Sequence, residues 1–224
     1  YCGMVKRLDE AFGSLMDALK SLDRLDDTIV LVTTDHACHF KTRNGEYKRS
    51  CHESAVRTPC MITGPGFQGG GQRRELFSII DVAPTLIDAA GLEVPATMQG
   101  QSILPRLHGN ATDWRKDIFF QISETETGRA LRTQRWKYGV TAEADRNAPR
   151  ADTYREAYLY DLDHDPWEQV NLIGMDSHRG LADHLKSRLL YWISEIEEGQ
   201  HPEVIHAPDV DAGQRILKAS EYLQ

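Results

Sequence analysis

The 224 residues are 40% hydrophobic and 27% charged, the balance expected of a soluble globular chain with room for one large or two small domains. A net charge of −8 argues against nucleic acid as the main partner, and no apolar run approaches the length of a membrane span. Four cysteines at irregular spacing make no recognisable disulfide framework, and no signal peptide is visible.

In chain order, Val5, Leu8, Phe12, Leu15, Leu19 and Leu22 recur at three- and four-residue steps and predict an amphipathic helix over residues 3–24. After Asp26-Asp27, the run Thr28-Ile29-Val30-Leu31-Val32-Thr33-Thr34 reads as a fully buried parallel strand. It ends at Asp35-His36, and Lys48 follows thirteen residues after Asp35. In open α/β sheets ligands bind at the carboxyl ends of such strands. A carboxylate is a hard oxygen ligand for a divalent cation. A lysine on the next loop is a point positive charge suited to an anionic group. The combination points to an enzyme of sulfate or phosphate esters.

Residues 35–58 are polar and rich in His, Lys, Arg and Glu, which predicts a long surface loop, or a loop plus a short helix, of functional kind. Cys60-Met61-Ile62-Thr63 reads as a second strand, stopped by Gly64-Pro65-Gly66. Asp81 is placed to cap a helix reaching Ala90, with Pro84 in its first turn and Gly91 as its stop. From residue 111 the pattern changes. Asp117–Ser123, Arg129–Thr133, Lys137–Thr141 and Tyr158–Leu162 read as short antiparallel strands, with a charged loop over 142–157. Leu181, Leu185, Leu189, Trp192, Ile193 and Ile196 mark a helix expected to cover one face of that sheet. From Gln200 the periodicity is weak. The expected domains are therefore 1–110, an α/β part; 111–199, a small α+β subdomain; and 200–224, a tail or truncated element.

The stretch Asp35-His36-Ala37-Cys38-His39-Phe40-Lys41-Thr42-Arg43-Asn44-Gly45-Glu46-Tyr47-Lys48, with His52-Glu53-Ser54-Ala55-Val56-Arg57-Thr58-Pro59 after it, resembles the C-terminal half of a type I, formylglycine-dependent sulfatase. Further likeness lies in Asp81 to Leu92, Gln99 to Pro105, Arg129 to Thr133 with Trp136-Lys137-Tyr138, and Leu159 to Leu162 with Asp165-Pro166, Glu168 and Asn171-Leu172. The resemblance implies part of an alkaline-phosphatase-like α/β sheet followed by a small α+β subdomain with antiparallel strands and a C-terminal helix. It implies Asp35 and His36 as ligands of Ca²⁺ and Lys48 as the catalytic clamp on the sulfate. The loop is similar to that of polysaccharide sulfatases, which implies a sulfated carbohydrate or other sulfate ester, with His39, Lys41, Arg43 and His52 as substrate-binding candidates. Glu53 and Arg57 are expected to be structural, as an ion pair locking the loop.

Two departures stand out. The glycine that the family places after Asp-His is Ala37 here, and none of Cys2, Cys38, Cys51 or Cys60 lies in Cys-x-Pro-x-Arg or Cys-x-Ala-x-Arg, where the formylglycine nucleophile arises. The chain opens inside a helical pattern without a methionine. The expectation is a fragment whose partner is the missing N-terminal half of the same enzyme, inactive alone, and of periplasmic, secreted or lysosomal origin by resemblance. The rivals are a zinc phosphodiesterase or phosphonate monoester hydrolase of the alkaline phosphatase superfamily, and a non-catalytic sulfatase-like binding protein. Cys38-His39 and Cys51-His52 lack the spacing of a structural zinc site.

Overall fold

A computed structural model describes residues 1–110, 113–142 and 148–208. The chain forms two compact units: residues 1–35 with 58–114, and residues 36–57 with the part from 115 onward. The loop 36–57, expected in the first domain, groups instead with the second unit. Within the expected tail, residues 209–224 lie outside the described residues, as do 143–147 of the expected charged loop.

In the first unit, helix α1 (Cys2–Ser21) precedes strand β1 (Val30–Thr33), and β2 (Cys60–Thr63) pairs with β1. The helix carries the predicted stripe, but Val5, Leu8, Phe12, Leu15 and Leu22 stay exposed. The pairing of β1 with β2 is antiparallel, Val30 opposite Thr63 and Thr33 opposite Cys60, and Val30, Leu31 and Val32 are only half-buried. This corrects the expectation of a fully buried parallel strand. A parallel neighbour needs a crossover, usually helical, whereas the chain between β1 and β2 is mostly loop. Helix α2 (Val82–Ala89) follows, stopped at Gly91, whose φ of 71° is one that glycine adopts without strain. Asp81 stands at its N-cap position as expected, but makes no side-chain cap hydrogen bond there. Its carboxylate accepts from the Ser78 N–H (2.8 Å) and the Gln101 N–H (2.9 Å), and so ties two loop segments.

The second unit is a five-stranded sheet in the order β3-β4-β5-β6-β7, with β3 at Asp117–Glu124, β4 at Glu126–Thr133, β5 at Trp136–Thr141, β6 at Thr153–Asp161 and β7 at Glu203–Ile205. The first four are antiparallel neighbours; β7 joins β6 in parallel, inside the segment expected to be a tail. Side chains alternate between faces. On one face Leu131, Tyr138, Val140, Tyr154 and Leu159 meet Leu185, Leu189 and Ile193 of the helix at Arg179–Ile196, as expected. Each such buried aliphatic side chain contributes roughly 1.5–3 kcal/mol. On the other face Ala130, Tyr158, Tyr160 and Leu162 surround Cys51, which the loop 36–57 brings in. That loop is therefore the lid of the sheet's second face.

The fit is close at Gly139, where a Cβ would sit 2.1 Å from the ring of Tyr158. The ring occupies that space, and the β5–β6 register shifts at Gly139–Val140.

Candidate active site

Asp35 lies two residues past the end of β1, is exposed, and has the Thr34 hydroxyl 3.3 Å from its Oδ1. His36 and Lys48 lie in the second unit and meet: His36 Nε2 is 3.0 Å from Lys48 Nζ. The other ring nitrogen, Nδ1, is 2.9 Å from the Ala37 carbonyl. A carbonyl only accepts, so Nδ1 carries the proton and Nε2 presents its lone pair to the ammonium. Tyr47 flanks both groups, its ring centroid 6.0 Å from that of His36 and 5.7 Å from Lys48 Nζ.

The loop holds this geometry through local bonds. The His39 N–H donates to the Tyr47 carbonyl (2.8 Å), Asn44 Nδ2 to the Arg49 carbonyl (2.6 Å), and the Ala37 N–H to the Ala55 carbonyl (2.8 Å). Arg49 anchors the excursion through Glu124, at 2.6 Å. The left-handed bend falls at Phe40 (φ 52°) and Lys41 (φ 63°), so Ala37 in the family's glycine position does not carry it.

The four expected substrate-binding residues are not gathered at His36. Lys41 is exposed. Arg43 donates to the Glu168 carbonyl (3.0 Å) and the Trp167 carbonyl (2.6 Å), and so clamps a turn of its own unit. His52 packs on Tyr158 and Tyr160, with centroids at 4.8 and 5.7 Å, and its nitrogens face the Ser50 hydroxyl and the Tyr160 hydroxyl. Burial first, then Arg43, Lys137 and His39, push its pKa down to about 3, so it is a neutral packing residue. His39 is 1% exposed, and neither ring nitrogen has a hydrogen-bond partner among the described residues. Burial holds its pKa below the usual value, which keeps it neutral.

Glu53 does not pair with Arg57. Its carboxylate takes Lys137 Nζ at 2.7 Å and Arg132 Nε at 3.0 Å. Lys137, fully buried, also reaches Glu168 at 2.9 Å and donates to the Cys51 carbonyl at 2.9 Å. Sequence reasoning missed this cluster. Its signal is a lysine between Trp136 and Tyr138 in a strand whose neighbours are buried. Burial pushes the Cys51 thiol up to about 12, so it is not a thiolate.

Among the described residues one His/Cys/Asp/Glu group has metal-like spacing, Glu156, Asp183 and His206. Arg179 already holds Glu156 (2.8 and 2.5 Å), joined by the Tyr138 hydroxyl and the Ala207 N–H, while Lys186 holds Asp183 (3.0 Å). These cations supply the positive charge that a metal would bring. No described helix is long and apolar enough to cross a membrane.

Residues 45–195 match the family model described as N-sulphoglucosamine sulphohydrolase, C-terminal. Arylsulfatase K of Mus musculus is 30% identical over 182 residues, which cover 77% of this chain and 32% of that protein. N-acetylglucosamine-6-O-sulfatase of Bacteroides thetaiotaomicron is 29% identical over 178 residues, covering 78% and 31%. The chain thus spans about a third of the length of these relatives. Among solved structures, BT4656 in complex with its substrate D-glucosamine-2-N,6-O-disulfate superposes with a TM-score of 0.69 at 27% identity, covering 88% of this chain and 40% of that one. A phosphonate monoester hydrolase of Silicibacter pomeroyi, at 24% identity and a TM-score of 0.71, shares the fold.

Proposed function

Because this chain belongs to the sulfatase family whose C-terminal model it matches over residues 45–195, with the fold of alkaline-phosphatase-like sulfatases, we propose that it supplies one side of the active site of a sulfuric ester hydrolase acting on a sulfated carbohydrate. The observation that carries this reading is the His36–Lys48 contact of 3.0 Å on the loop that follows Asp35. The names of a glucosamine sulfatase relative and of a disulfated glucosamine complex support the carbohydrate.

Lys48 neutralises the sulfate oxygens as charge builds on them, a preorganised electrostatic contribution. The His36 lone pair holds the ammonium in place before substrate arrives. Family members are of a metal-dependent type, and the donors present fit a divalent cation. Asp35 offers hard oxygen, and His36, with Nδ1 on a carbonyl, ligates through Nε2 once that lone pair exchanges the Lys48 ammonium for the cation. We place Ca²⁺ there from the family resemblance; bound, it polarises the sulfate oxygens as a Lewis acid. The formylglycine nucleophile lies outside this chain, since no cysteine here has the required context.

Two results follow. Asp35→Ala in the full-length protein lowers bound metal and turnover together, read by elemental analysis beside kinetics; unchanged metal content with normal turnover removes Asp35 from the site. This chain purified alone turns over no aryl sulfate, because the parts of a catalytic constellation act as a unit. Turnover by the chain, free of contaminating enzyme, overturns the division of the site. A full-length protein that cleaves phosphonates but no sulfate ester overturns the assigned reaction.

A further inference from the structure

A second constellation lies in the same unit as Lys48, on residues for which the proposed reaction has no use. Two buried carboxylates, Glu53 and Glu168, are already held by Lys137, Arg132 and Arg43, the last at 3.8 Å from Glu168. Arg57 is a fourth cation, exposed, with no carboxylate or carbonyl partner for its guanidinium among the described residues. Four cations face two carboxylates, so the cluster as a whole carries a surplus of positive charge; of its members Arg43, Arg57, Glu53 and Glu168 line a cavity of about 600 Å³, together with Trp167 and Gln169. Ligand pockets have this size.

Trp167 is 76% exposed. A lone exposed aromatic needs no explanation by itself, but this one is mounted. Arg43 and the Gln169 amide both donate to its carbonyl, at 2.6 and 2.9 Å. Glu168 takes the left-handed conformation (φ 54°), uncommon for a residue with a side chain. Its carboxylate is buried in the ion cluster while the neighbouring indole remains in solvent. The backbone beneath the indole is thus fixed before any ligand binds, which lowers the cost of ordering it.

From this geometry we infer that the cavity is a subsite for an anionic saccharide unit, the indole of Trp167 stacking on the sugar ring and Arg57 binding its sulfate or carboxylate group. The indole face is electron-rich and suits the polarised C–H face of a pyranose. A guanidinium offers paired donors that match two oxygens of one anionic group. This assignment rests on the reading of the substrate as a sulfated carbohydrate and extends it to a further sugar of the chain being cleaved.

The test uses the full-length protein in a Lys48→Ala background, so that the probe is not consumed. The probe is a fully sulfated, glucosamine-containing tetrasaccharide, titrated by calorimetry. Trp167→Ala and Arg57→Ala each weaken its binding by roughly tenfold, the loss expected of an interfacial anchor. Trp167→Phe and Arg57→Lys recover part of it. With Lys48 restored, turnover of 4-nitrophenyl sulfate stays within about twofold of the unsubstituted protein, since a small ester spans one site. Unchanged tetrasaccharide affinity in both alanine variants overturns the subsite. So does an equal fall on tetrasaccharide and aryl sulfate, which places the effect in the fold or at the reacting centre. A protein that hydrolyses aryl sulfate yet binds no tetrasaccharide loses the subsite and keeps the sulfatase reading. One that cleaves only phosphonates loses the sulfatase reading, while the titration still decides the cavity.

Discussion

Lys48→Ala in the full-length protein lowers kcat/KM on a sulfated sugar by roughly 10²–10³-fold, the scale of losing one preorganised donor to a developing anion. Its effect on stability is much smaller. Lys48 is half-buried and its ammonium bonds to His36 Nε2, so removing it costs about 1 kcal/mol, the net worth of an ordinary hydrogen bond. Kinetics paired with a melting curve separate the two. Lys48→Arg restores little activity, because the planar guanidinium does not occupy the point of a compact ammonium. A variant that melts early with a normal rate per folded molecule makes Lys48 a structural residue and moves the sulfate clamp elsewhere.

The parts of the fold that periodicity encodes were legible in the chain. The stripe from Leu181 to Ile196 appears as the helix at Arg179–Ile196, and Cys60–Thr63 is a strand with those bounds. What failed was whatever depends on distant partners. An apolar run such as Ile29 to Val32 says strand, but not the direction of its neighbour, and the neighbour proved antiparallel. β6 was expected from Tyr158 and begins at Thr153, because Glu156 is a buried carboxylate made tolerable by Arg179, Tyr138 and Ala207. At the site, His36 Nε2 and Lys48 Nζ lie 3.0 Å apart, a contact that spacing along the chain does not specify. Charge alone did not tell which of the loop's cations and histidines hold the fold. Arg43 gives its guanidinium to Trp167 and Glu168, and His52 packs its ring on two tyrosines. Those partners lie more than a hundred residues away.

The largest expected loss of stability is at Lys137, which no reading of the reaction requires. Its ammonium is fully buried and is the shared partner of Glu53, Glu168 and the Cys51 carbonyl. Lys137→Met keeps much of the side chain's volume but leaves two buried carboxylates short of a cation, so the second unit loses about 3–5 kcal/mol. In a unit of this size that lowers the melting temperature by roughly 10 °C or more. The acid limb gives an independent sign. Burial by itself would raise the Glu53 carboxyl, but Lys137 and then Arg132 outweigh it and hold it below its ordinary value of 4.5. A depressed carboxyl contributes stability that is present above that ordinary value and is lost as pH falls through the lower folded value. Without Lys137, Glu53 protonates at higher pH, so the variant also begins acid unfolding at higher pH. Adding Glu168→Gln to Lys137→Met removes one of the stranded charges and recovers part of the loss. If the double variant is instead the sum of two independent losses, the harm comes from packing around Phe120, whose ring centroid is 5.8 Å from Lys137 Nζ, and Tyr160, opposite Lys137 on β6, and the ion cluster is not what fastens the loop 36–57 to the sheet.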